Sequence, residues 1–373
     1  MQRKAKYMWQ IWGVFFLTLC LSQTVGAAEA WLIGVAGPMT GDQSKLGADV
    51  QRGAGLAVDE WNARGGIAGK KIRLEVGDDQ HDPKQANAVA HKMVNRGIIG
   101  MVGHFNSSAS IPASAVYHDA GIPMITPAST NPQLTEQGFL NVFRVCGRDD
   151  QQGRVATQFM TQTLKVKRAA ILHDKTTYGK GLAEEIKKNL GAARVVLFDG
   201  ITQGDKDFRG ILTTIKGKNP DALFFGGIYP EGGLLAKQAR EVGIVAPIFG
   251  GDGMYDPEFV KIAGKAAEGA YLTFTPDPAR LPHAKPFFEK YRAKYGDALA
   301  PYAIYSYDAA NVLLTALAQT QKPAGKSLIE TLRSIQYDGA TGHIEFDARG
   351  DVKVAPYVVW KVKNGQFEEH WKP

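Results

Sequence analysis

The chain has 373 residues, 44% hydrophobic and 22% charged, with a formal net charge of +7. Basic and acidic residues interleave, as in "AEEIKKN" (183–189) and "FEKYRAKYGD" (288–297), which excludes the basic stripe that tracks nucleic acid. Two cysteines exclude a disulfide scaffold, and the length favours about two domains.

The first residues predict a secretory signal peptide. Arg3, Lys4 and Lys6 precede the apolar run "IWGVFFLTLCL" (11–21), and small residues follow in "TVGAAEA" (24–30). Eleven apolar residues fall short of the roughly 20 that span a bilayer. Cleavage after Ala28 removes 28 of 373 residues and three basic groups, leaving 345 residues and a charge of +4. Leu19 stands before Cys20 where a lipoprotein box wants a small residue. With Cys20 removed, Cys146 has no partner, so the exported chain is expected to be held by burial alone. No later run approaches membrane-spanning length, and a soluble periplasmic protein is expected.

Apolar runs then alternate with amphipathic stretches, the pattern of parallel strands covered by helices. Strands are predicted at 31–37, 70–79, 98–103 and 122–127, and helices at 47–66, 83–97 and 111–121. Pro83 marks one helix start and Gly97 the end of the same helix. The pattern restarts after "RVCGRDDQQG" (144–153) with a helix at 151–165, then strands at 169–173, 194–201, 222–227 and 247–251. Helices at 181–192, 207–217 and 232–243 lie between those strands. "PDPARLPHAKP" (276–286) holds four prolines and reads as a crossover. Helices at 287–296 and 306–320 follow, and strand-like pairs at 343–351 and 355–370 close the chain. The fold class is therefore α/β, with two doubly wound parallel-sheet lobes.

Enzyme signatures are missing: no Gly-x-Ser-x-Gly elbow, Walker loop, His-Glu-x-x-His or Cys-x-x-Cys occurs. "GAGLAV" (53–58) imitates part of a dinucleotide fingerprint but lies inside a predicted helix. The eight histidines lack ligand spacing, so no metal and no cofactor is expected. "GHFNSS" (103–108) is different, because it places Asn106, Ser107 and Ser108 where a strand feeds a helix. It reads as an ordinary cap, a nucleophile or a cradle for an anion. A matching loop, "TPAST" (126–130), supplies Ala128, Ser129 and Thr130 at the end of the next strand. Singly each loop is a cap; as a pair on one rim they can hold both oxygens of a carboxylate. In the second half, "DKTTYGKG" (174–181) exposes Tyr178 on a loop, "IYPEGG" begins at Ile228, and "DGMYDP" begins at Asp252. Asp252 can accept from an ammonium or merely form an Asp-Gly turn, and Tyr178 can cover the ammonium or be a plain loop aromatic.

Six blocks in series resemble the branched-chain amino-acid (Leu/Ile/Val) substrate-binding proteins of ABC transporters, which have the type I periplasmic binding protein fold. They run from "GPMTGDQSKLGADVQRGAGLAVDEWNARGGIAGKKI" through "DDQHDPKQANAVAHKMVNRGI", "GHFNSSASIPASAVYHDAGIPMITPAST", "ILHDKTTYGKGLAEEI" and "FDGITQGDKDF" to "AEGAYLTF". The resemblance implies that Ser107, Ala128 and Thr130 bind a ligand carboxylate, and the loop reading adds Asn106 and Ser129 as ligand-binding candidates. It implies that Asp252 takes the ammonium, that Tyr178 contacts the ligand from the other lobe, and that Phe105 and Tyr302 line the side-chain pocket. Leu46 and Ile228 stand where the best-known branched-chain binders place tyrosines, and Asp252 replaces a glutamate, shifting the charge by about 1.5 Å. A more apolar pocket follows, for a larger aliphatic or aromatic amino acid or a related amide. His81 and Asn106 match positions of paired cysteines, both replaced. The implied lobes are 29–148 plus 276–352 and 149–275 plus 353–373, with crossovers near 147–150, 274–278 and 351–354. The implied partners are an amino-acid ligand and the permease subunits of an ABC importer with their ATPases. The protein is expected to act as a monomer, without catalysis and without nucleic acid. Two rivals remain: a periplasmic sensor for amides or similar molecules, and an exported hydrolase using Ser107 or Ser108 with His104.

Overall fold

The computed structural model describes residues 30–296, 301–320 and 325–373; the expected signal peptide, Cys20 included, lies outside the described residues. β1 (Trp31–Gly37) is apolar along its length and buried from Ile33 onward, as expected of a strand covered on both faces. α1 (Ser44–Ala63) follows, then β2 (Ile72–Asp78) and α2 (Pro83–Asn95). Asp82 caps α2 by accepting from the backbone N–H of Lys84 and of Gln85, both at 2.8 Å, and Pro83 occupies the first helical position. β3 (Gly100–Val102), α3 (Ser107–Asp119), β4 (Met124–Thr126), the one-turn α4 (Gln133–Glu136) and β5 (Val142–Arg144) complete the first unit. The five strands form a wholly parallel sheet in the order β2-β1-β3-β4-β5.

The second unit repeats this grammar. α5 (Asp149–Gln162), β6 (Ala169–His173), α6 (Thr177–Leu190), β7 (Val195–Gly200) and α7 (Arg209–Gly217) lead to β8 (Ala222–Gly226). α8 (Tyr229–Glu241), β9 (Ile248–Gly250), α9 (Pro257–Ala263) and β10 (Tyr271–Phe274) follow. α10 (Lys285–Tyr295) and α11 (Ala303–Gln319) then return to pack on α1, and α12 (Lys326–Arg333) packs on α11. A small hairpin joins β11 (Gln336–Gly339) to β12 (Gly342–Glu345), and β13 (Val358–Lys363) pairs with β14 (Gln366–Trp371). Asn364 and Gly365 both have positive φ (51° and 72°), the two-residue turn that matches strand twist. The second sheet has the order β14-β13-β10-β9-β8-β6-β7, parallel except for β13 and β14. The chain passes between the sheets three times: from β5 to α5, from β10 to α10, and from the Asp351–Val352 bridges to β13.

Sequence periodicity missed β5, β10, α9 and α12, which are short or carry no clean alternation. The pair read at 343–351 is corrected: β12 pairs backward with 336–339, and 347–351 is a turn in which Asp347 accepts from Arg349, Gly350 and Asp351 N–H groups. α3 starts at Ser107, four residues before the predicted position, because Asn106 is its extended N-cap and Pro112 lies within the helix rather than at its start. The glycines of α1 have a packing role. A Cβ on Gly53 would sit 2.1 Å from the Ala303 carbonyl oxygen, and one on Gly47 2.3 Å from that of Pro38. Backbone therefore packs against backbone at both places, which accounts for the glycines near "GAGLAV" without a nucleotide.

Candidate functional site

Both sheets reverse strand order at their centres, between β1 and β3 in one and between β6 and β8 in the other. Ligands of open parallel sheets bind at the carboxyl ends of strands at such points. The loops after β3, β4, β6, β8 and β9 meet there around a small cavity, lined by Phe105, Asn106, Ser107, Ala128, Tyr178, Ile228, Asp252, Gly253 and Tyr302. Eight of the eleven residues singled out by sequence thus share one wall-to-wall space. Leu46, Ser129 and Thr130 do not line it. Leu46 is buried in the apolar core, and the Ser129 hydroxyl donates to the Phe105 carbonyl at 2.8 Å, so it braces the first loop instead of facing the cavity.

The first-sheet side is rich in donors. Because Asn106 is the N-cap, Ser107 and Ser108 occupy the first turn of α3, where backbone N–H groups have no intrahelical acceptor. The hydroxyls of Ser108 and Thr130 are buried and lack a partner among the described residues. Ser107 Oγ accepts from Asn131 N at 3.3 Å, which leaves its own proton to give. Asn106 Nδ2 donates to Gln43 Oε1 at 2.9 Å, and Gln43 also meets His81. A polar chain His81–Gln43–Asn106 therefore joins the two positions at which the resemblance implied cysteines.

The second-sheet side is rich in acceptors. Tyr178 is not on an exposed loop: Thr176 caps α6, accepting from Gly179 N at 3.0 Å, and Tyr178 stands in the first helical turn. Its hydroxyl donates to Asp252 Oδ1 at 2.9 Å and accepts from Gly253 N at 3.0 Å. Gln152 Nε2 also donates to Asp252 Oδ1 (2.9 Å), and the Tyr302 hydroxyl, 3.3 Å from Oδ2, lies 2.9 Å from the Asp252 carbonyl oxygen. Oδ1 of Asp252 thus has two donors, while Oδ2 meets only the Tyr302 hydroxyl, whose single proton lies nearer the Asp252 carbonyl, so Oδ2 can still accept. Burial pushes its carboxyl up, against the pull of Gln152 and Tyr178.

Asp149, which sequence reasoning passed over, is the open acceptor. It begins α5 and is fully buried behind the cavity lining, where the Thr130 hydroxyl pulls on its carboxyl although no full hydrogen bond reaches either oxygen among the described residues. Gln152, one turn along the same helix, has an unpartnered Oε1. Burial, and then the neighbouring Asp252, raise the Asp149 carboxyl well above its ordinary value. The acidic pair in "CGRDDQQG" at a helix start was the available signal. Apolar surface completes the cavity: the Phe105 ring meets Tyr302 edge-on at 4.8 Å, and Ile228, the N-cap of α8, lies on the opposite side.

The hydrolase arrangement is absent from this geometry. His104 faces Asp79 through Nδ1 (2.7 Å) and the Tyr117 hydroxyl through Nε2 (3.2 Å), so neither nitrogen serves Ser107 or Ser108. Among the described residues no group of three or more His, Cys, Asp or Glu could hold a metal.

Two mostly parallel sheets whose strand-end loops meet over a polar-ended cavity define a two-unit α/β binding protein. The chain belongs to the periplasmic binding protein family, whose sequence profile matches residues 31–366. It is 43% identical to an amino acid binding protein of Pseudomonas aeruginosa, over 92% of this chain and 94% of that one. It is 41% identical to Leu/Ile/Val-binding protein homolog 1 of Brucella suis biovar 1, over 90% and 92%. In structure it is similar to the branched-chain amino acid transporter substrate-binding protein LivJ of Streptococcus pneumoniae in complex with isoleucine. That match has a TM-score of 0.85 at 31% identity and covers 92% of this chain and 100% of that one. The leucine-binding protein LivK of Thermotoga maritima matches with a TM-score of 0.86 at 32% identity, over 92% and 99%.

Proposed function

We propose that the chain is the solute-binding component of an ABC importer, and that it captures an amino acid with an apolar side chain. The observation that carries this reading is the division of the site: the Ser107 hydroxyl and helix-start amides on one wall of the cavity and the Asp252 carboxylate on the other, with Thr130 and Asp149 buried behind them. A zwitterion satisfies both. Its carboxylate is received by Ser107 and the α3 amides and its ammonium by Asp252, with the buried Thr130 and Asp149 drawn into the same network when the ligand enters. Phe105, Tyr302 and Ile228 receive the side chain. The relatives named for amino-acid binding support the same class of ligand.

The two lobes, 29–148 plus 276–352 and 149–275 plus 353–373, close by rotation about the three crossovers, so the closed state gains ligand contacts that the open state lacks. The signal peptide delivers the chain to the periplasm, where it works as a monomer and hands its cargo to permease subunits with their ATPases. No bond is made or broken. The test is a thermal-shift screen of refolded, ligand-free protein against the amino acids and simple amides. A ligand that prefers the native state at 100 times its Kd adds about 2.7 kcal/mol. Shifts confined to apolar amino acids are expected; turnover of an ester or amide, or no shift with any amino acid, would refute the reading.

A further inference from the structure

Near the cavity an ion pair bridges the two sheets' units. Lys45, on α1, places Nζ 2.6 Å from Asp256 Oδ2, and the other oxygen of Asp256 caps α9 through Glu258 N at 2.9 Å. Asp256 is only 1% exposed, so in this closed arrangement it needs a cation. One turn along α1 stands Asp49, also 1% exposed, whose Oδ2 has no hydrogen-bond partner among the described residues. Residues i and i+4 of a helix are surface neighbours, so Asp49 lies within the sweep of the Lys45 side chain. Arg52, also on α1, acts on Asp49 only through space, its guanidinium lying 5.5 Å from the centre of the Tyr295 ring. One ammonium therefore serves two buried carboxylates, one from each unit, and in the closed form it satisfies the farther one.

We propose that Lys45 exchanges partners as the cleft moves, pairing with Asp49 when it is open and with Asp256 when it is closed. Asp49 is then a positioning residue that opposes closure and sets ligand affinity. The proposal rests on the reading of the chain as a protein that closes over its ligand. In the open form Asp256 faces water and needs no counter-ion, while Lys45 falls back on its own helix. Closure desolvates Asp256, draws the lysine across and leaves Asp49 short of one bond. The cation N-terminal to the anion is the weaker i,i+4 order, so the open pair yields readily. Closing gains one ion pair and forfeits another, which leaves the contacts of the ligand to decide the equilibrium.

The sign of one substitution separates this device from a merely structural role. By titration calorimetry with L-leucine, Asp49→Asn should bind more tightly than the wild type by about 3- to 10-fold, and Lys45→Met more weakly by a similar factor. In the Lys45→Met background the Asp49→Asn effect should shrink to less than about twofold, because the two act through each other. Weaker or unchanged binding by Asp49→Asn, or an effect that persists without Lys45, overturns the proposal. If Asp49→Asn does not fold, a crystal of the ligand-free open wild type decides: Lys45 Nζ within about 4 Å of the Asp49 carboxylate supports the exchange, and a solvent-directed Lys45 overturns it. Failure of the wild type to bind L-leucine counts against the functional reading, while the open-form geometry still decides the partner of Lys45.

Discussion

Replacing Asp149 by Asn tests how the cavity holds an ammonium. The change keeps shape and removes charge. Oδ1 of Asp252 already accepts from Gln152 and Tyr178, whereas no full hydrogen bond reaches either oxygen of Asp149, so Asp149 should share the new bonding with Asp252 Oδ2. A hydrogen bond to a charged group is worth about 1.5–3 kcal/mol. At 1.4 kcal/mol per tenfold, the Kd for L-leucine should rise roughly 10- to 150-fold. Calorimetry with L-leucine and with 4-methylpentanoate, which lacks the amine, isolates the contact. The variant should lose affinity for the first and hold the second at least as well as the wild type. Without ligand, the native state keeps a proton on Asp149 that the unfolded chain gives up, because its carboxyl is raised. That contribution to stability is full at low pH and is lost as pH rises through the folded value. The ligand-free variant should therefore gain stability relative to the wild type as pH increases. Equal losses for both ligands, or an unchanged leucine Kd, would refute the assignment.

The same linkage acts at other buried acids. Asp49 and Asp174 are raised to about 7 and Asp308 to about 6, chiefly by burial. Each favours the folded state below pH 4 and loses that contribution as pH rises through its folded value, so ligand-free protein should lose on the order of 1–3 kcal/mol between pH 6 and 8. Calorimetric melting at the two pH values checks this, and a melting temperature that rises toward pH 8 would contradict it. Asp351→Ala should destabilise the fold by about 3–5 kcal/mol, because it leaves a buried charge uncompensated. Asp351 holds Arg144 at 2.5 Å and Arg148 at 2.7 Å, tying the third crossover to the first; denaturant titration measures the loss. Cys146 is a buried free thiol pushed up to about 12, first by burial. It should resist thiol reagents in the native protein and react stoichiometrically once unfolded; rapid native labelling would contradict this burial.

Much of the fold was legible because buried parallel strands are uniform apolar runs and the helices between them are amphipathic. β6 fell on its predicted residues, and α2 announced both ends through Pro83 and Gly97. Three-residue β5 and four-residue β10 are set by neighbouring strands and leave no periodic trace. At the site, the pairing of hydroxyl-bearing loops at neighbouring strand ends placed Ser107 and Asp252 on one rim, although each loop alone read equally as a cap or turn, and both residues line the cavity. Direction was not legible. Nothing in "TPAST" says that the Ser129 hydroxyl turns to the Phe105 carbonyl, and nothing in "CGRDDQQG" says which aspartate is buried. Asp149 is buried while Asp150 pairs with Arg148 at 3.1 Å.

A crystal structure of the mature protein grown with L-leucine tests the central claim most directly. The carboxylate should lie within about 3.2 Å of Ser107 and of Thr130 or the first amides of α3, with the ammonium at the same distance from Asp149. A ligand bound in the reverse sense, or one leaving both Asp149 oxygens still unpartnered in an occupied cavity, would contradict it.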